Sequence, residues 1–177
     1  MGGASLDGVV DADMTLRFGR LRVPTVVHWP RVETVSLALV LTDELSPTDP
    51  WVDGFVVVGL AGRHPGSVEL AALQWMSDHA CELGGRRDRM LVAGGARAAR
   101  LALAARDSGR PALSGQLLVH PVWGAEQPMP WDVAGAPPAT VVCGAGADGG
   151  RRYGERLRAA GVEVHEVRDE VSDDRRR

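Results

Sequence analysis

Asp43, Glu44, Arg63, His64, Arg97, His120, Cys143 and Asp148 stand at or just beyond the ends of short apolar runs. Side chains in such places emerge together at one rim of a parallel sheet, where ligands of open α/β sheets bind. A histidine there supplies a base near neutral pH. A carboxylate fixes the histidine's tautomer, an arginine receives an anion, and a thiolate accepts an acyl group. His120 follows QLLV and His64 follows GFVVVGL, and two readings stand for them: a candidate base, or ordinary loop or rim residues. Cys143 ends TVVC with no base beside it in sequence, which favours a buried, unreactive thiol.

The most informative stretch is Arg89 to Ala102, RMLVAGGARAARLA. It reads as an apolar strand, a glycine turn and the opening of an alanine-rich helix. The turn places Ala96 where a nucleophile would sit, and a methyl group cannot attack a carbonyl. Arg97 and Arg100 lie on the first turns of that helix. Two readings stand for them: an anion site made with the helix N-terminus, or ordinary exposed helix residues. Asp43 and Glu44 are candidate ligand-contacting carboxylates at the same rim or the charges of a solvated turn, and no spaced ligand set makes them a metal site. Trp123 belongs to a short linker, Val122 to Pro138, where with Met129 and Trp131 it is expected to form a small flap over a ligand.

The elements that must position these groups follow from periodicity. Thr15 to Val23, Thr25 to Trp29, Thr34 to Leu41 (TVSLALVL) and Gly54 to Leu60 (GFVVVGL) read as strands, the last two as doubly covered ones. Leu45 to Asp53, with Pro47 and Pro50, reads as a loop. Ser67 is placed to cap a helix from Val68 to Leu83, stopped by Gly84. Alternation then continues with strand Met90 to Ala93, helix Ala96 to Asp107, strand Gly115 to His120, strand Thr140 to Cys143, helix Arg151 to Ala160 and strand Val162 to Val167. Strands alternating with helices predict an α/β fold, a mainly parallel sheet with helices on both faces. The expectation is a single domain over 1–177.

The run ALQWMSDHACELGGRRDRMLVAGGARAARLALAARDSGRPALSGQLLVHPV, Ala72 to Val122, resembles the hormone-sensitive-lipase-like branch of the α/β-hydrolase family. The shared features are a helix with a central Trp, an ELG-D-R turn, an elbow, an alanine-leucine helix and a strand ending in Pro. Ala136 to Val142 and Glu155 to Val162 resemble that family's penultimate strand and following helix. In the family the elbow is G-x-S-x-G, and here the frame is Gly94-Gly95-Ala96-Arg97-Ala98. The family's oxyanion glycines would follow TVSLALVL, where Thr42-Asp43-Glu44-Leu45 stands, and two carboxylates there would repel a developing anion. Asp148 falls one residue from the family's acid, and after Val167 no histidine follows. The resemblance thus implies a reduced, truncated fold without a large cap, lacking the catalytic serine and histidine.

A chain of 177 residues with 45% hydrophobic content supports one sizeable core. A net charge of -3 suggests neither nucleic acid nor an anionic membrane as partner. All cationic side chains are arginine, which with many Ala and Gly points to a GC-rich bacterial coding bias. No apolar stretch reaches the length of a membrane span, and no basic start with an apolar run follows Met1. The expectations are a cytoplasmic protein with no cofactor, binding a small-molecule or carrier-bound acyl or aromatic ligand. Acyl transfer or cyclisation in bacterial natural-product biosynthesis, without a Ser-His-Asp triad, is the expected chemistry. The alternative is a noncatalytic scaffold or interaction protein. Strand Val162 to Val167 lies near a sheet edge in this reading, which favours a homodimer.

Overall fold

The computed structural model describes residues 10–30, 34–125, 127–144 and 148–169. The strands are β1 (Val10–Phe18), β2 (Leu21–Trp29), β3 (Leu37–Leu41), β4 (Val56–Leu60), β5 (Met90–Gly94), β6 (Gly115–Val119), β7 (Ala139–Gly144) and β8 (Val164–Asp169). The helices are α1 (Gly66–Asp78), α2 (Ala96–Ser108) and α3 (Asp148–Ala159). All eight strands form one sheet in the order β1-β2-β4-β3-β5-β6-β7-β8. β1, β2 and β4 pair antiparallel, and every pairing from β4 through β3 to β8 is parallel.

The continuous apolar runs read as doubly covered strands are β3 and β4, buried along their whole lengths. Even-odd alternation sends Leu37, Leu39, Leu41, Val56, Val58, Met90 and Val92 to one face, where they pack with buried residues of α1, α2 and α3. Ala38, Val40, Val57, Ala93, Leu117 and Val142 face the other way, against Leu45, Trp51, Val52 and Phe55. Helical cover is therefore uneven. All three α-helices contribute to the first cluster, and a 3-10 turn, Pro50–Val52, lies with the second. That turn, started by Asp49 accepting from the Trp51 N–H at 3.0 Å, stands within the stretch read as plain loop.

Several boundaries differ from expectation for local reasons. The predicted strand Thr15 to Val23 is split by a tight turn at Gly19 and Arg20, because Gly19 at φ 62 reverses the chain between β1 and β2. Helix α1 stops at Asp78 although the apolar pattern continues to Leu83. The Arg87 guanidinium donates to the Ser77 and Asp78 carbonyls at 2.7 and 3.2 Å, taking up the helix's final acceptors. Ser67 is not its cap; Pro65 precedes the first turn. β8 starts two residues later than predicted and runs on to Asp169.

The linker expected as a flap is tied down by arginines. Arg100 of α2 donates to the Pro128 carbonyl, Arg106 to Ala134 and Arg156 of α3 to Pro130, each at 2.6 Å. Trp123 packs on Tyr153 with ring centroids 5.0 Å apart. Tyr153 is fully buried, and its hydroxyl has no hydrogen-bond partner among the described residues. Burial pushes its pKa up to about 12. An unpaired buried hydroxyl costs about 1–3 kcal/mol. Tyr153→Phe is accordingly expected to leave stability unchanged or raise it by up to that amount, as read by urea denaturation; a loss above about 1 kcal/mol would mean the hydroxyl has a partner.

Candidate functional site

At the carboxyl ends of β5 and β6 lies an open cleft of about 460 Å³, lined by Glu44, Arg63, Gly95, Ala96, Val119, His120, Val122, Gly124, Ala125 and Gln127. That volume suits a small organic ligand. The lining combines apolar walls with a few polar groups, and it brings together Glu44, Arg63, Ala96 and His120 of the residues singled out in the sequence.

Glu44 has the most consequential position. One carboxylate oxygen accepts from the Gly95 N–H at 2.8 Å and the other from the Arg97 N–H at 3.0 Å. The acid sits on the N-terminus of α2, where backbone donors and the helix dipole favour an anion. The two glycines make room for it: a Cβ on Gly94, whose φ is 152, would lie 2.8 Å from the Glu44 Oε2. The sequence placed a repelling carboxylate near a developing charge. In the structure that carboxylate occupies a donor itself, the Arg97 N–H directly after the elbow position.

The elbow has also relaxed. A working nucleophile residue stands on a strained strand-to-helix turn, whereas Ala96 is simply the first residue of α2. Among the described residues His120 alone, at φ 45, is a non-glycine with positive φ. This is costly for a residue preceding proline, which favours extended backbone. Its N–H is anchored on the Val142 carbonyl at 3.0 Å, and its Nε2 meets the Asp169 Oδ2 at 3.0 Å. Asp169 ends β8 and was not singled out in the sequence. The partnership spans 49 residues and exists because β6 and β8 flank β7. With Nε2–H donating to Asp169, Nδ1 remains as the ring's acceptor.

Arg97 is neither a ligand-facing cation nor an exposed helix residue. Its guanidinium is buried between Asp43 and Glu69 and bonded to both. Burial above all, with the nearby Glu44 and Asp43 charges, pushes the Glu69 carboxyl above its ordinary value against the pull of Arg97. Burial also disfavours the Arg97 cation, but its bonds to Glu69 and Asp43 outweigh that and hold it above its ordinary value. Asp43 additionally accepts from Arg63 Nε at 3.2 Å. The triad fixes α1, α2 and the segment after β3, and through that segment it positions Glu44.

The remaining candidates lie apart from the cleft lining. Asp148 opens α3 and pairs with Arg151. His64 bonds the carbonyl of Ala61 in its own turn at 2.8 Å. Trp123 turns onto Tyr153 between two lining residues, Val122 and Gly124. Cys143 is buried; a Cβ on Gly150 would be 3.0 Å from its sulfur. Burial raises its thiol pKa, so the nucleophilic thiolate is disfavoured. No cluster of three or more metal-ligating side chains occurs among the described residues, and no described helix is long and apolar enough to cross a membrane.

No family model and no curated protein matches the sequence. The fold, by contrast, has many solved counterparts. It is similar to an arylesterase structure with a TM-score of 0.77 at 18% identity, covering 92% of this chain and 76% of that one. A thermophilic carboxylesterase cloned from a metagenomic library matches with a TM-score of 0.74 at 21% identity, over 93% of this chain and 80% of that one. The hyperthermophilic esterase of the archaeon Pyrobaculum calidifontis matches with a TM-score of 0.76 at 21% identity, over 90% and 75%. The expectation of a hydrolase-like sheet drawn from Ala72 to Val122 thus holds for the architecture: this protein has the α/β-hydrolase fold.

Proposed function

We propose that this protein binds a small acyl or aromatic ligand in the cleft above Ala96, with His120, oriented by Asp169, as its base. The nucleophile belongs to the ligand or to a second substrate, so the reaction is an acyl transfer or a cyclisation without an acyl-enzyme. The observation that carries this reading is the His120–Asp169 pair at 3.0 Å, on a strained backbone at the cleft wall. Strain of that kind persists only where surrounding structure enforces it, and such positions cluster at functional sites. The base would take a proton from an attacking hydroxyl or amine, and holding both groups together lowers the barrier further.

The test is transfer from aryl esters and short acyl thioesters to amine and alcohol acceptors, with binding followed by calorimetry. His120→Ala and Asp169→Asn are each expected to lower kcat by about 10²–10⁴-fold, while Cys143→Ala leaves it unchanged. Turnover that survives both of the first two substitutions would reject the assignment. A second reading is a noncatalytic interaction protein, favoured by Glu44 lying on the Arg97 N–H that an oxyanion would need. Saturable binding without turnover of any acyl donor would select it.

A further inference from the structure

Among the described residues the cleft lining carries a formal charge of each sign, on Glu44 and on Arg63. They are neighbours through Asp43, yet no ion pair joins them. Arg63 donates through Nε to the Asp43 Oδ2 at 3.2 Å, while its terminal nitrogens hold no hydrogen bond among the described residues. The turn that presents it, between β4 and α1, is reversed at Gly62 with φ 83 and closed by His64 bonding the Ala61 carbonyl at 2.8 Å. Asp43 is itself bonded to the buried Arg97, so the anchor of Arg63 is fixed. Glu44 commits one acceptor position of each oxygen to the amides at the start of α2, and a carboxylate has about four such positions. Both groups therefore keep bonding capacity at the cleft, and neither satisfies the other.

We propose that the ligand held by this cleft is a zwitterionic amino acid, its carboxylate on the terminal nitrogens of Arg63 and its ammonium on Glu44. This rests on the reading of the cleft as a ligand site and names the class of that ligand. The terminal N–H groups of a guanidinium lie in parallel and match the oxygens of a carboxylate, and an ammonium is a donor for Glu44. A ligand of one charge fits less well. A simple carboxylate on Arg63 meets the repulsion of Glu44, and a simple amine on Glu44 meets that of Arg63. A neutral ligand covers both charges and pairs neither, which carries a desolvation cost. The amino acid pairs both and adds no net charge.

The rest of the lining suits the same ligand. Val119, Val122 and Ala125 form an apolar wall for its side chain, and a volume of about 460 Å³ leaves space for an acyl donor beside it. Its amine is also the class of nucleophile that the proposed transfer takes from a second substrate.

Calorimetry at neutral pH and low salt tests this with L-phenylalanine and L-leucine, each against its amide and against the carboxylate that lacks the amine. The amino acids are expected to bind about 10-fold or more tighter than either analogue, the scale of one hydrogen bond to a charged group. Arg63→Gln is expected to abolish the preference over the amides and leave amide binding unchanged. Glu44→Gln is expected to abolish the preference over the des-amino carboxylates. Arg63 is exposed and Asp43 keeps Arg97 without it, so the Arg63→Gln protein folds, as circular dichroism melts will verify, and it decides the matter by itself if Glu44→Gln does not fold. Equal affinity of the wild type for amino acids and both sets of analogues overturns the proposal, as does a preference that Arg63→Gln leaves intact. Aryl esters that bind where no amino acid does also overturn it, while the reading of the cleft as a ligand site stands. Absence of binding by esters and amino acids alike removes both.

Discussion

Arg97→Met is expected to destabilise the fold by about 3–5 kcal/mol, the largest loss from any single side chain outside the apolar core. Methionine fills the length of the arginine stem, so packing is largely conserved and the effect is electrostatic. What remains is Glu69, 4% exposed, among apolar neighbours with its cation gone. Asp43 still has Arg63, so the cost falls mainly on Glu69. Its carboxyl is already raised by burial in the intact triad, with Glu44 and Asp43 adding to the rise and Arg97 opposing it. Removing Arg97 raises it further.

The sign of the pH dependence follows. A carboxyl whose folded pKa exceeds its unfolded value, here the ordinary 4.5, contributes most to stability below that value, and the contribution is lost as pH rises through the folded pKa. The Arg97→Met deficit is therefore expected to be small near pH 4.5 and full near pH 7.5, as read by urea titrations at both. A deficit equal at the two values would place the loss in packing instead. Adding Glu69→Leu removes the orphaned acid and is expected to recover most of the stability, since an apolar replacement of a buried pair is often neutral or better.

The triad also shows what a sequence discloses and what it hides. β3 and β4 were legible because LALVL and VVVGL, within TVSLALVL and GFVVVGL, carry no polar residue, and α2 because alanines after two glycines have few alternatives. Glu69 was not legible. It lies in α1 among Val68, Leu70 and Ala71 and reads as a solvated helix residue until α2 is set beside it. Asp169 was hidden for a similar reason: its value depends on β8 being two strands from His120, a relation fixed by sheet order and invisible to spacing. Asp148 stood out because it nearly matched a motif, yet a helix-opening aspartate has its own partner in Arg151 one turn on. Glu44 was recognised as a charge in the wrong place, but the distance that makes it an occupant depends on Gly94 and Gly95 lacking side chains.

Ala96→Ser alone is expected to yield no serine-dependent esterase: no burst of p-nitrophenol and no labelling by a fluorophosphonate. A serine there would open α2 on an ordinary helical residue, whereas the reactive serine of this fold is lifted by a strained turn. The amide directly after the elbow position, which would be one oxyanion donor, is bonded to Glu44 at 3.0 Å. Loss of one such donor costs about 10²–10³-fold in kcat, so an occupied Arg97 N–H strongly weakens a serine even if a base reached it. Adding Glu44→Ala separates these causes. It frees the Arg97 N–H, at a cost in stability of about 1–2 kcal/mol from the lost helix cap, and is expected to raise hydrolysis about 10²-fold above the Ala96→Ser protein. No gain in the double variant would place the block in the relaxed turn, and hydrolysis by Ala96→Ser with Glu44 present would show that the carboxylate moves aside for substrate. The first result calls for rebuilding the backbone at Gly94 and Gly95, the second for treating Glu44 as a gate.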